Sequence, residues 1–503
     1  MAELVEASPS ALCPAASLLP VLPPSSPLPA DSLTSALVAL DPATGQILAL
    51  SSKGASDNQA ALSSLDTGTL VTPFIYLNAF SRGFNPSTLV WDVTQTEITH
   101  TRWPLTENRG PISLREAMTG DALSPTVDLL TLAGIPSFTK LMNSLNLSGI
   151  SSDPFPSLST DPVSLARAYG MLADSGTLAG TQPVYILQIL DSRRNSLYQV
   201  QDPANLAVVS PQLSYLVNQV LADDSIRDPA LAPFLNTSAD TAVKVGRVAD
   251  GRSAWTSGYT SSLVILSRLA SVDGSTTIDL RWPASVWRAI MQYSLTSHSA
   301  APWLEPPGIS HVTVCYPSGL LPDADCPETR PGIFITGNEP NRTDDLYQTA
   351  WVNVETNRLA TVFTPPELMQ ARRYLLVPPD YAGWAADKGI PQMPVNYDPI
   401  PPQKPDPGLH ITTPAFSAQV SGVVAVTGTT GGVDFASYRL DYGAGLYPQA
   451  WTQIGSAGSQ PVSEGLLIQW DTAGLHGLYI LRLQVVTRDN LLRTVYVPVT
   501  VGE

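Results

Sequence analysis

The sequence predicts an α/β (α+β) domain over residues 34–298 followed by an all-β, immunoglobulin- or fibronectin-like sandwich over 409–503. Three observations carry this. Ala36–Asp41, a turn at Pro42–Gly45 and Gln46–Leu50 read as strand, turn, strand, and runs of helical character follow. Pro399–Gly408 holds five prolines and reads as a stiff linker. Beyond it, strand-like runs such as Tyr438–Tyr442 and Tyr479–Val485 alternate apolar and polar residues between Gly-, Asp- and Asn-rich turns.

At 503 residues the chain has room for two to four domains, and 44% hydrophobic residues suffice for real cores. Net charge is −16, which argues against nucleic acid and against docking on anionic lipid. Residues 1–33, rich in Pro, Ser, Ala and Leu, read as a disordered leader. Glu3 and Glu6 stand where an export signal carries basic residues, prolines break the weakly apolar run Ala11–Leu22, and no run of apolar residues is long enough to span a membrane.

Leu65–Leu77 reads as the entry to a buried helix, with Gly68 for a tight turn, Thr69 as an N-cap, and Phe74, Ile75 and Leu77 running inward. Asp161–Gly170 places Val163, Ala166 and Tyr169 on a helical period, and Leu263–Leu266 reads as a strand. Residues 299–408 are a Pro-rich connector with short strands at His311–Val314 and Gly332–Ile335. Cys315 and Cys326 flank a turn-rich loop, and either a disulfide or two free thiols fits them; Cys13 is left over. Trp451 and Trp470 are core-packing residues of the sandwich, with sugar stacking as the alternative. No clustered Cys/His pattern marks a metal site, and no cofactor is expected.

Gly68, Pro73, Phe74 and Tyr76 resemble the frame of the Pro-Gly-Ser-x-x-Lys-Pro-Phe-x-Tyr segment in class A penicillin-binding proteins. Ala36–Leu50, Asn108–Met118, Asp161–Gly170, Ala254–Thr260 and Trp287–Met291 resemble further landmarks of that family's transpeptidase domain, in order. The resemblance implies a penicillin-binding transpeptidase / serine β-lactamase-like fold, in which three motifs converge on one cleft. It also implies an acylating serine, a lysine base one turn later, a hydroxyl relay and a strand-edge anion site.

The chain departs from each motif. Thr69 stands at the serine position and Thr72 at the lysine position. A threonine hydroxyl cannot serve as base near neutral pH, and loss of that base alone should cost roughly 10²–10⁴ in rate. Asp121-Ala122-Leu123 falls where Ser-x-Asn belongs; Leu123 cannot bond a substrate amide, and Asp121 is expected as a helix cap, with a replacement base as the alternative. Lys244-Val245-Gly246 replaces Lys-Thr-Gly. Lys244 retains the charge to attract a substrate carboxylate or is an ordinary strand lysine, Gly246 allows close backbone approach, and Val245 has lost its hydroxyl. Ser137–Lys140, Ser144–Asn146 and Ser56–Asn58 fit the motifs by chance; the first two lie too close together to form opposing walls.

These features imply a catalytically silent transpeptidase-like protein of peptidoglycan assembly, a scaffold or peptide-binding module. Its expected partners are a peptidoglycan stem peptide or cell-wall synthesis proteins, and its compartment by resemblance is extracytoplasmic. The alternatives are an active D,D-transpeptidase or carboxypeptidase with altered residues, and a decayed fragment.

Overall fold

A computed structural model describes residues 14–20, 33–53, 63–94, 108–147, 150–151, 157–200, 205–272, 274, 276–297, 300–404 and 406–502. Cys13 and Ser56–Asn58 lie outside them. The chain forms two compact units, Met1–Asp345 and Leu346–Glu503, so the division falls inside the segment expected as a single connector.

The first unit is built on an antiparallel five-stranded sheet. Its strands are β1 (Leu33–Leu40), β2 (Ile47–Lys53), β3 (Ala242–Arg247), β4 (Ser253–Tyr259) and β5 (Val264–Ser271), in the order β3-β4-β5-β1-β2. Alternation along β1 divides the core. Val38 and Leu40 face the main cluster, whereas Leu37 and Ala39 face a second cluster containing Trp287 and Met291. Trp287 lies on the long helix Arg281–Ser297, and Gly258 is what lets it approach: a Cβ there would stand 2.3 Å from the indole.

The main cluster surrounds α1 (Thr72–Phe80), every residue of which is buried. A helix apolar on all sides belongs inside a core, and Pro73 in its first turn fixes the entry without losing a needed donor. Packed around it are α2 (Leu114–Thr119), α3 (Leu123–Ala133), α4 (Ile135–Ser144), α5 (Pro162–Ala173) and α6 (Pro211–Leu221). The helix starts follow capping chemistry. Ser113 and Glu116 close a capping box on α2, and Asp161 accepts from the Ser164 N–H at the start of α5. Part of the expected leader is ordered instead: Pro14–Leu18 forms a 3-10 turn, with Ala15 buried, because its apolar residues find the last helix of the unit to pack on. Cys315 and Cys326 are joined as a disulfide, with Cα atoms 5.7 Å apart.

The second unit carries the sandwich, one sheet of three strands and one of five. Between them lie Leu440, Leu467, Leu481, Leu483, Val497 and Trp470, the last 1% exposed. Trp451 is half-buried and lies under the Arg482 guanidinium. Ahead of the sandwich, strands Tyr347–Asn353 and Met369–Leu375 pair. Their return segment is knitted by buried Asp398, which accepts hydrogen bonds from Asn353 Nδ2 (2.9 Å), Thr356 Oγ1 (2.7 Å) and Thr364 Oγ1 (3.0 Å).

Burial works to raise the Asp398 pKa, but these three donors and the positive charge of Arg358 outweigh it and leave it below the ordinary carboxylate value. A carboxyl depressed in the folded state contributes stability above its unfolded pKa and loses it as pH falls through the folded value. Asp398→Asn should therefore lower the stability of this unit at neutral pH by about 1–3 kcal/mol. It should also flatten the loss of stability on acidification below about pH 4, read by thermal melts across pH.

Candidate functional site

The chain enters α1 through a 3-10 turn at Gly68–Val71 that lies against β3. Two glycines make this approach possible. Gly68 has φ +54°, and a Cβ on it would stand 1.9 Å from the Arg247 carbonyl oxygen. A Cβ on Gly246 would lie 2.7 Å from the Leu70 nitrogen. Asp66 accepts from the Gly68 N–H (2.9 Å), the Trp255 indole N–H reaches the Asp66 carbonyl (3.1 Å), and Tyr169 donates to the Leu70 carbonyl (2.7 Å). Burial raises the Tyr169 pKa well above the usual phenol value, which keeps it a neutral donor.

This packing brings Thr69, Asp121 and Lys244 together. Thr69 Oγ1 donates to Asp121 Oδ2 at 2.6 Å, and Lys244 Nζ forms an ion pair with Asp121 Oδ1. The Arg247 backbone N–H donates to Thr69 Oγ1 at 3.1 Å. Thr69 is 0% exposed, Lys244 1% and Asp121 9%. The threonine hydroxyl thus has its proton directed to one carboxylate and an oxygen lone pair held by a backbone amide.

Several expectations are corrected here. Thr69 is not an N-cap side chain: α1 begins at Thr72 with Val71 as its cap, and neither the turn nor the helix has a side-chain cap bond. Asp121 caps no helix either. It has φ +51°, and the cap position of α3 is Ala122, which cannot cap; the Asp121 carboxylate is drawn to Lys244 instead. Lys244 is therefore not an ordinary strand lysine, whose ammonium would reach water. The alternative given for Asp121, an acid beside Thr69, has the contact it needs, since its carboxylate accepts from the Thr69 hydroxyl.

The remaining predicted residues fall elsewhere. Thr72 Oγ1 is buried with no hydrogen-bond partner among the described residues. Leu123 packs with Val127 and Ala249. Val245 points to the cluster with Trp287 and Met291, because successive strand residues face opposite sides and Lys244 takes the inner one. Ser137 bonds carbonyls of its own chain segment, and Ser144 bonds Leu141, both on or beside α4. Sequence reasoning missed the Arg247 amide, which has no side-chain signature. It also missed the brace of Tyr76 to Thr126 (2.8 Å) and Thr126 to the Ala122 carbonyl (2.6 Å), which ties α1 to the start of α3. Among the described residues, no group of three or more His, Cys, Asp or Glu side chains is gathered as metal ligands would be.

A buried charge left alone is costly. Lys244→Met should therefore destabilise the first unit by about 3–5 kcal/mol, and Asp121→Leu added to it should recover most of that loss. A double-mutant cycle by denaturant unfolding checks this. Gly246→Ala should also destabilise, because the methyl meets backbone rather than a movable side chain.

Comparison with known proteins agrees with this architecture. A family model described as the C-terminal domain of penicillin-binding protein 1A matches residues 305–349. Penicillin-binding protein 1A of Clostridium botulinum is 25% identical over 229 residues, 43% of this chain and 27% of that protein. Penicillin-binding protein 1A of Neisseria cinerea is 25% identical over 256 residues, 46% of this chain and 32% of the relative. The chain thus spans about a third or less of the length of these curated relatives. The crystal structure of penicillin-binding protein 1A from Haemophilus influenzae superposes with a TM-score of 0.53 and 21% identity, covering 62% of this chain and 55% of that one. The chain thus shares the fold of that penicillin-binding protein over 62% of its length, and over nearly half of its length its sequence is similar to penicillin-binding proteins 1A.

Proposed function

We propose that this chain serves peptidoglycan assembly as a transpeptidase-like scaffold without acyl-transfer activity, working through cell-wall synthesis proteins. One observation carries the reading: the residue at the nucleophile position is fully buried, with its hydroxyl held between Asp121 and the Arg247 amide. Attack on a peptide carbonyl needs an exposed oxygen with a lone pair aimed at substrate and a base free to take the proton. Thr69 offers neither, because Asp121 is committed to Lys244. The same ion pair weighs against a stem peptide as the cleft's ligand, since the ammonium that would meet its carboxylate already holds one. The similarity to penicillin-binding proteins 1A supports the cell-wall setting. The Cys315–Cys326 disulfide supports an oxidising, extracytoplasmic compartment. Among the described residues no helix is long and apolar enough to cross a membrane.

The 2.6 Å contact of Thr69 with Asp121 favours a second reading, an enzyme in which Asp121 acts as base. Fluorescent penicillin separates the two. The purified chain should give no covalent band, before or after Thr69→Ala, and the double variant Thr69→Ser with Thr72→Lys should regain weak labelling at most. A band on the native chain that disappears in Thr69→Ala overturns the scaffold reading.

A further inference from the structure

A cavity of about 290 Å³ lies between the turn that joins β3 to β4, the end of β5 and Asp66. Asp66, Asp250, Arg252, Ser253 and Arg268 are among the residues that line it. Ser253, Trp255 and Arg268 share the face of the sheet that turns to the main cluster, since Trp255 stands opposite Arg268 in register and two residues on from Ser253. Trp255 is fully buried and fixes this corner. Its indole N–H ties the Asp66 carbonyl to the sheet (3.1 Å), and its ring lies 5.3 Å from the Arg268 guanidinium.

The polar groups around the cavity are under-used. A guanidinium offers several donors. Among the described residues Arg268 bonds Thr34 Oγ1 at 3.3 Å, while its Nε is buried without a partner. Burial pulls the Arg268 pKa down to about 10, against the pull of the Asp66 charge. Ser253 is 6% exposed, and its Oγ is likewise buried without a partner among the described residues. On the acidic side, burial raises the Asp66 pKa despite the Gly68 amide, and the Asp250 charge adds to the rise. Asp250 meets Arg252 at 3.6 Å, but these side chains are 50% and 58% exposed, and such pairs are weak. A carboxylate entering here gains Arg268 and the Ser253 hydroxyl, and an ammonium gains two carboxylates.

We propose that this cavity binds a free α-amino acid, with its carboxylate on Arg268 and Ser253 and its ammonium between Asp66 and Asp250. Charge selects this class of ligand. A bare anion would meet the two carboxylates, and a bare cation the two guanidiniums, whereas a molecule with both signs on one carbon matches both sides. The planar guanidinium suits a carboxylate, which it can hold through two parallel hydrogen bonds. The volume is close to the lower limit of ~300 Å³ for ligand pockets, which fits one amino acid and little more. Thr69, Asp121 and Lys244 do not line this cavity, so the site stands whichever reading of that cluster holds.

Isothermal titration of the whole chain with the free amino acids, each in its L and D form, tests this. At least one should bind with a roughly submillimolar Kd. Acetate, inorganic phosphate and methylammonium at the same concentrations should give no comparable heat. Arg268→Lys keeps the charge but loses the planar fork, and should weaken binding of that amino acid roughly ten- to a hundredfold. Because Arg268 is largely buried, a second variant is needed on a half-exposed side chain. Asp250→Asn should weaken the same binding while leaving the melting temperature of the free chain unchanged. Failure of every amino acid to bind overturns the proposal. So does acetate, phosphate or methylammonium binding as tightly as the best amino acid, which would make this a plain ion site. An affinity that both Arg268→Lys and Asp250→Asn leave unchanged overturns it equally.

Discussion

The ion pair between Lys244 and Asp121 is the constraint around which the centre of the first unit is arranged. An ammonium at 1% exposure persists only with a carboxylate against it, because the cost of stripping water from a lone charge exceeds what a domain's net stability can absorb. Asp121 comes from the link between α2 and α3, and Lys244 from the strand at the sheet's edge. Their attraction therefore closes the helical half of the unit onto the sheet. The second carboxylate oxygen accepts a hydrogen bond from the Thr69 hydroxyl, so the turn that opens α1 joins the same cluster. Gly68 and Gly246 are what let the backbones come close enough for these three side chains to meet.

A carboxylate beside a hydroxyl is ordinarily a reason to suspect a nucleophile. Here burial changes its meaning. A base helps catalysis when it can take a proton as the oxygen moves toward substrate, and a preorganised amide helps when it faces the developing oxyanion. In this chain the Arg247 amide faces Thr69 itself, and Asp121 is shared with Lys244. The groups that could assist a reaction satisfy one another, as buried polar groups must in a stable core. The contact of Thr69 with Asp121 thus also satisfies two polar groups inside the core.

Most of the fold could be read from the chain because its signals are local. The helix at 162–173 shows its period and its Asp161 cap, and the glycine before Thr69 marks a tight turn. The site could not be read in the same way. Asp121 lies 52 residues from Thr69 and 123 from Lys244, and a local reading assigns an acid just before a helix to capping. Val245 was misplaced by strand parity alone: only the packing of the long helix on the outer face decides which alternate residues turn inward. The ordering of Pro14–Leu18 was hidden because a short apolar turn becomes ordered only through a helix far along the chain.

The same logic bears on where a chain of this kind does its work. Composition makes the stretch from Tyr185 to Val200 look like core, since it is as rich in Ile, Leu and Tyr as the buried strands. Yet those side chains lie in water, while the polar residues expected to meet a substrate lie inside. Selection for a soluble monomer would exchange exposed aliphatics for polar residues at little cost to stability, because surface positions tolerate substitution within about 0.5 kcal/mol. Exposed aliphatics on this stretch are therefore nearly neutral for the stability of the unit. Composition alone therefore misjudges both places, putting that stretch inside and the Thr69, Asp121 and Lys244 cluster at the surface.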